Sequence, residues 1–248
     1  NSKIAYPQDV IFRSVFFALV LYIFTQLWGA LLGSTGTIEG FSRVQMVWYL
    51  MVTESIMLSN ARIERRIDDE IKSGAIAYAL IRPLHFVWYQ FSIYVGETLG
   101  HLLFNIMVGG ALAWALVGSP AMTAIALPAI FLSVALAFSL QFLVKMSIAL
   151  TAFWIEDTGP FFWIYSKLLF TLGGLFVPID FYPMWLQKIA RALPINYILY
   201  APAKLFVTFD TSPFFQIVLW QSLWCVVLTI LVLTIYKRGV KRVSVNGG

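Results

Sequence analysis

Six long apolar runs, separated by short polar stretches, dominate the sequence. They cover residues 10–33, 41–60, 84–117, 121–154, 161–177 and 214–236. Several exceed the roughly 20 apolar residues with which a helix crosses a bilayer, and none alternates with the two-residue period of a membrane strand. The pattern predicts an all-α membrane protein, with one transmembrane domain over residues 1–248 and six transmembrane helices.

The most highly charged stretch lies between the second and third apolar runs. Ile63, Ile67 and Ile71 recur there at every fourth position, with charged residues between them. This spacing is typical of a short amphipathic helix. Gly74 suits the C-terminal end of that helix, and Pro83 suits a break before the next run. The sequence therefore predicts a charged helix at about 62–73 that joins two transmembrane helices.

Residues 178–213 form a second interruption of the apolar pattern. The segment is rich in proline, yet it carries an apolar stripe that includes Trp185 and Ile189. Lys188 and Arg191 face away from that stripe on a helix. Such a segment is typical of short helices that lie on the membrane surface or dip into it. We therefore expect one or two interfacial or re-entrant helices between spans 5 and 6, on the outer side.

The distribution of basic residues predicts the orientation. Eleven of the 17 Lys and Arg lie near the two termini or in the charged stretch after the second run. Because cytoplasmic loops carry an excess of basic residues, this side is predicted to be cytoplasmic, with both termini there. We expect a multi-pass protein of a bacterial-type inner (plasma) membrane. The pI of about 9.3 then requires no nucleic-acid partner. Cys225, the single cysteine, predicts neither an internal disulfide nor a metal cluster.

Polar side chains inside the apolar runs are candidate functional residues, because placing them in a bilayer is costly. They are Glu54, Glu97, His101, Asn105, Lys145 and Lys167. We expect Lys145 or Lys167 to pair with Glu54 or Glu97, since lone charges are unfavourable there. We expect His101 and Asn105 to form a buried hydrogen-bonded pair. The ion pair fits a structural link between helices, a polar lining of a substrate path, or a proton relay.

Two local patterns carry a resemblance to a known family. The first is Glu70-x-x-x-Gly74-x-Ile76, which leads to Leu80-x-Arg82-Pro83. The second is Gly173-Gly174-Leu175-Phe176-Val177-Pro178, followed by Tyr182-Pro183, Trp185-Leu186 and Leu193-Pro194. With two spans before the charged helix and four after it, the chain resembles the permease subunits of ABC-2 type ABC transporters over nearly its whole length.

The resemblance implies that the charged helix is a coupling helix, which docks into a cleft on a cytoplasmic ATPase. The coupling residues would be Arg62, Ile63, Glu64, Arg66, Ile67, Asp69, Glu70, Ile71 and Gly74. The external hairpin, at about 178–213, would lie near the exit of the pathway. Its residues there would be Pro178, Tyr182, Trp185, Lys188, Arg191 and Tyr197.

The sequence contains no G-x-x-x-x-G-K-[ST] phosphate-binding loop. We therefore expect no cofactor, no metal and no catalytic residue in this chain, and we expect ATP and Mg on a partner ATPase. The resemblance implies two cytoplasmic ABC ATPase subunits, a second permease copy or a similar permease, and membrane lipid as partners. The implied activity is ATP-driven export of an amphipathic substrate: a lipid, a lipid-linked glycan or a hydrophobic drug.

Two alternatives stay open. The charged helix would be a purely structural connector if it lay on the membrane surface without a protein partner. The chain would belong to another class if it were an ion-gradient-driven secondary transporter or channel that used Glu54, Glu97 and Lys145. Matching broken helices in two halves are typical of that class, and the sequence shows no convincing internal repeat. Motifs of intramembrane enzymes, such as H-E-x-x-H, do not occur.

Overall fold

A computed structural model describes residues 7–33, 36–80, 84–120 and 124–246. Arg82 and Pro83, which contribute to the first family-like pattern, lie outside these residues. The described part is built of helices: α1 (Pro7–Leu32), α2 (Arg43–Leu58), α3 (Ile63–Lys72), α4 (Ile76–Leu80), α5 (Phe86–Val117), α6 (Leu127–Ala149), α7 (Gly159–Thr171), α8 (Met184–Ala192), α9 (Tyr200–Val207) and α10 (Thr211–Asn246).

Short elements connect the helices. Strands β1 (Thr37–Ile38) and β2 (Phe41–Ser42) form an antiparallel pair between α1 and α2, with Thr37 opposite Ser42 and Ile38 opposite Phe41. Four 3₁₀ turns occur in the described part, at Ala124–Ala126, Leu150–Phe153, Ile179–Phe181 and Pro194–Tyr197. The second of these extends α6 and the last two belong to the external hairpin.

Six segments run alternately between two ends of the molecule: α1, α2, α5, α6, α7 and α10. We call the end that carries α3 the elbow end, and the end that carries α8 and α9 the hairpin end. At the hairpin end, Trp28 of α1 packs against Phe181, and the Trp48 indole of α2 donates to the Gly118 carbonyl after α5, at 3.0 Å. At the elbow end, α3 packs against α6 and its 3₁₀ extension.

Helix α2 occupies the centre of the bundle. Eleven of its 16 residues are buried, from Met46 to Ile56. Its start is fixed by a capping box, in which Ser42 and Gln45 satisfy each other's backbone N–H groups. It packs against α1, α5 and α9. A helix with neighbours on most sides buries residues around its whole circumference, which explains why its sequence is apolar without a clear periodicity.

Among the described residues, four helices are long and apolar enough to cross a membrane: Ser14–Leu32, Phe86–Val117, Leu127–Phe153 and Thr211–Arg242. They coincide with four of the six predicted spans. The second and fifth predicted spans correspond to the shorter helices α2 and α7, of 16 and 13 residues. The described chain is therefore a helical membrane protein, as the hydropathy pattern predicts.

Helices α7 and α10 end at other residues than the fifth and sixth predicted spans. Helix α7 stops at Thr171, before the predicted end at 177. Gly174 has a φ of +70°, and a Cβ at Gly173 would lie 2.1 Å from the Leu169 carbonyl oxygen, so a tight turn replaces the helix here. Helix α10 runs past the predicted end at 236 to Asn246, because the basic residues after Tyr236 continue the helix.

Candidate functional site

Helix α3 lies where the sequence predicts the charged helix, and its isoleucine face points into the protein. Ile63 and Ile67 are fully buried and Ile71 is 8% exposed. These side chains pack within the core beside α6 and the 3₁₀ turn at 150–153. These three isoleucines, expected among the coupling residues, are therefore not open to direct contact with a partner, since helices of the same chain already cover them.

One flank of α3 is bonded to α6 and α7. The Lys145 ammonium of α6 lies 2.9 Å from Glu64 Oε2 and also donates to the Ala61 carbonyl at 3.1 Å. Both side chains of this ion pair are largely buried. Further along, the Thr158 hydroxyl donates to Asp68 Oδ1 at 2.9 Å, just before α7 begins. This flank therefore connects α3 to two of the long segments.

The opposite flank of α3 is bonded to α5. The Arg66 guanidinium donates to Gln90 Oε1 at 3.1 Å and lies 3.4 Å from Glu97 Oε1. Gln90, which is fully buried, donates in turn to Glu70 Oε2 at 3.0 Å. The amide thus bridges an arginine and a carboxylate of α3. Together the two flanks hold α3 between α5 on one side and α6 and α7 on the other.

The outward face of α3 is charged and open to solvent. It lines a cleft of about 860 Å³, whose walls are Arg62, Arg65, Arg66, Asp69, Glu70, Lys72, Ser73 and, from α5, Glu97. Arg62, Arg65 and Asp69 are exposed. Lys72 pairs with Asp68 one turn earlier at 2.5 Å, and this hydrogen bond raises the pKa of the Lys72 ammonium. Gly74, with a φ of +73°, ends the helix.

The predicted ion pair between Lys145 or Lys167 and Glu54 or Glu97 is wrong. Lys145 pairs with Glu64, and Glu97 pairs with Arg66. The reason is the position of α3. It lies alongside α5 and α6, level with side chains well inside those helices, so its own charges reach them first. In both pairs, α3 supplies one of the two charged residues.

Glu54 and Lys167 occupy opposite environments. Glu54 is 3% exposed, and no hydrogen bond or ion pair joins it to another described residue. Lys167 is exposed on α7, where its ammonium lies 5.6 Å from the centre of the Trp163 ring. Neither residue therefore takes part in a pair of the kind that the sequence led us to expect.

The expected pair of His101 and Asn105 is also wrong. Asn105 is buried and donates to the Ser59 hydroxyl at 3.0 Å, at the end of α2. His101, one turn earlier on α5, is exposed. Asn105 therefore helps to hold α5 against α2 near the elbow end, and His101 does not share that role.

At the hairpin end, Asp180 gathers three donors that sequence reasoning missed. Its carboxylate accepts from the Tyr200 hydroxyl at 2.9 Å, from Lys204 at 2.9 Å and from Arg191 at 3.3 Å. Burial and the nearby carboxylate raise the pKa of the Tyr200 phenol. The bonds join three separate short elements, with partners 11 to 24 residues from Asp180, so no local pattern could have indicated them. Asp180 is the residue that organises the external hairpin.

The expected exit residues are distributed around this carboxylate. Tyr182 donates to the Thr171 carbonyl at 2.5 Å, and Tyr197 donates to the Arg191 carbonyl at 3.3 Å. Pro178 precedes the 3₁₀ turn that holds Asp180. Trp185 and Lys188 are exposed on α8. The structure therefore places all six residues at one end, where only some of them form the internal hydrogen bonds.

Two hydroxyl groups of α2 hold the turn after α7, a link that sequence reasoning also missed. Tyr49 donates to the Gly174 carbonyl, and Thr53 donates to the Leu175 carbonyl at 2.7 Å. Both donors are fully buried. Because α2 leads directly to α3, this central helix joins the charged elbow to the turn that precedes the external hairpin.

Comparison with known proteins is consistent with this arrangement. A search of curated proteins gives no significant match. The model of the family described as ABC-2 family transporter protein matches residues 16–247, which is almost the whole chain. The resemblance drawn from the two local patterns is thereby confirmed. The chain belongs to the ABC-2 transporter family, as a permease component of the membrane.

Proposed function

We propose that the chain is one half of the translocation pathway of an ATP-driven exporter, and that α3 is its coupling helix. The observation that carries the proposal is the way α3 is held. Its two flanks are bonded to α5, α6 and the start of α7, while its charged outward face is free to meet another protein. Such a helix can receive a displacement and pass it to the spanning segments.

The bonds of α3 define how a displacement would spread. The Ile63, Ile67 and Ile71 side chains fix the helix to the bundle through apolar contact, worth about 1.5–3 kcal/mol for each buried side chain. The Glu64–Lys145 pair directs the displacement to α6. The bonds through Gln90 direct it to α5. Packed elements move as rigid bodies rather than deform continuously, so the segments would tilt together.

The remaining parts of the proposal rest on the membership of the chain in the ABC-2 transporter family. Two cytoplasmic ABC ATPase subunits would bind ATP and Mg and push on α3, and a second permease copy or a similar permease would complete the pathway. All six segments would cross the membrane, with α2 and α7 surrounded by neighbours, and both termini would be cytoplasmic in a bacterial-type inner membrane. The substrate would be amphipathic and would leave near the external hairpin.

A pull-down tests the coupling role. The native chain is solubilised from its own membranes beside a variant with Arg65→Glu and Asp69→Lys. These residues face outward and belong to neither flank, so the fold should be kept. We expect an ATPase subunit to copurify with the native chain and its recovery to fall about tenfold in the variant, since reversed charges oppose a complementary surface.

Lys188→Glu provides the control, because it reverses an exposed charge on a short helix at the opposite end. It should leave ATPase recovery unchanged. A monodisperse native permease that brings down no ATPase would contradict the proposal. Ion-gradient-driven transport through Glu54, Glu97 and Lys145 would then be the function to measure.

A further inference from the structure

Lys167 differs from Glu54, Glu97 and Lys145, the other three charged candidates within the apolar runs. Glu54 is buried, Lys145 is paired with Glu64, and Glu97 is paired with Arg66. Lys167 is exposed, and no carboxylate of the described residues pairs with it. Its ammonium lies over the face of the Trp163 ring. A cation on an open face of a spanning helix is costly in lipid and marks a functional position.

The ammonium of Lys167 points towards the elbow end. Lys167 is eight residues beyond Gly159, about 12 Å along the helix. Side chains on a helix lean towards its N-terminus, and the position of the ammonium over Trp163, one turn earlier, follows that rule. The ammonium therefore lies closer to the elbow end of α7 than the backbone of Lys167 does.

The rest of this face is apolar and aromatic. Trp163 is 64% exposed, and Ile164 and Phe170 are 49% and 41% exposed. The other side of α7 is anchored in the protein by Tyr165 and Leu169, which are buried. The exposed face therefore combines one cation, one aromatic platform beside it and an apolar surface one turn deeper. This composition complements a molecule with an acidic head and an apolar body.

We propose that the exposed face of α7 binds an anionic amphiphile, with its phosphate or carboxylate head at the Lys167 ammonium beside Trp163 and its apolar body along Phe170. The inference rests on the proposed export function for its physiological meaning, and it adds the charge of the substrate. Lys167 supplies a charge-assisted hydrogen bond to the head. Trp163 holds the ammonium in place through its ring, and the apolar surface excludes water from the contact.

Fluorescence quenching tests the proposal without an ATPase, so its failure is distinguishable from failure of the export function. The full permease is placed in nanodiscs of zwitterionic phosphatidylcholine and titrated with brominated dodecyl phosphate. Bromine quenches nearby tryptophan, and a Trp163→Phe variant isolates the contribution of Trp163 among the nine tryptophans. We expect saturable quenching from Trp163 in the native chain and a binding constant about tenfold weaker in Lys167→Gln.

Matched variants and ligands sharpen the result. Lys167→Arg should retain binding, Lys167→Glu should prefer brominated dodecyltrimethylammonium, and Lys188→Gln at the hairpin end should bind as the native chain does. Inorganic phosphate should not compete at comparable concentration, which distinguishes an amphiphile from a free anion. If inorganic phosphate at comparable concentration displaces brominated dodecyl phosphate, the proposal is overturned.

Two further outcomes would also overturn it. Equal quenching by the anionic and cationic ligands in the native chain would show that the face selects no charge. If Lys167→Gln leaves quenching unchanged but dissociates permease dimers on size-exclusion chromatography with light scattering, Lys167 pairs with a carboxylate of a second copy instead.

Discussion

At the scale of single residues, the ion pair between Lys145 and Glu64 is the contact whose loss should cost most. The Lys145→Met substitution leaves the Glu64 carboxylate largely buried without a cation, which we expect to lower the free energy of unfolding by about 3 kcal/mol. The double variant Lys145→Met with Glu64→Gln removes the charge as well and should recover most of that loss. Thermal unfolding in detergent measures both effects.

Lys188→Met provides the matched control, since it removes an exposed lysine from a surface helix. It should leave the unfolding midpoint unchanged. Equal midpoints for the native chain and Lys145→Met would show that the pair does not stabilise the fold.

The sequence indicated which residues were unusual, but not how they pair. Lys145 and Glu97 stood out because charges are rare in apolar runs. Their partners, Glu64 and Arg66, belong to a stretch so rich in charge that no single residue in it stands out. Asp180 gave no local signal at all, because its three donors come from α8 and α9 and from no repeating pattern. Pairing depends on three-dimensional placement, which periodicity does not contain.

At the scale of elements, α2 should control the turn between α7 and the external hairpin. Tyr49→Phe with Thr53→Val removes both donors while keeping nearly the same volume. The carbonyls of Gly174 and Leu175 then lose their partners, at about 1 kcal/mol each. We expect faster amide hydrogen exchange over residues 172–178, and little change in α3. If α2 transmits displacement to this turn, ATP hydrolysis should also continue with less transport.

Thr25→Val is the control for this variant. Thr25 is a buried threonine whose hydroxyl donates to the Leu21 carbonyl of its own helix. It should leave exchange at the turn unaltered. Unchanged exchange over residues 172–178 in the double variant would mean that the glycines alone fix the turn.

Elements with a strong local period were predictable. The four-residue spacing of isoleucines identified α3 to within one residue at each end. The end of α7 was not predictable from hydropathy, because residues 172–177 are as apolar as the helix before them. The backbone leaves the helical conformation at Gly173 and Gly174. Hydroxyl groups of α2, distant in sequence, donate to the carbonyls of Gly174 and Leu175. A non-local contact therefore set an element boundary that composition had placed later.

At the scale of the whole molecule, hydropathy predicts the course of the chain but not the depth of its parts. The alternation of six segments between two ends follows from the six apolar runs. The position of α3 along the bundle does not follow from the hydropathy pattern, since an amphipathic helix can project from a bundle or lie against it. Here the apolar face of α3 is buried among its neighbours, and the salt bridges on its flanks become possible only at that level.

The alternation of the six segments leads to a prediction for the two ends of the protein in its membrane. In a Cys225→Ser background, Arg65→Cys places a thiol on the outward face of α3, and Lys188→Cys places one on α8. Both positions are exposed and lie on short amphipathic helices, so in the permease expressed alone their reactivity should differ only through the side they face. In intact cells we expect a membrane-impermeant maleimide to label position 188 alone, and in inverted membrane vesicles to label position 65 alone. Opposite sides require that an odd number of the three segments α5, α6 and α7 crosses the membrane fully. Labelling of both positions from one side would contradict this and would mean that α7 returns to the surface it left. The elbow and the hairpin would then share a compartment, and α3 could not carry a cytoplasmic displacement to an exit on the other side.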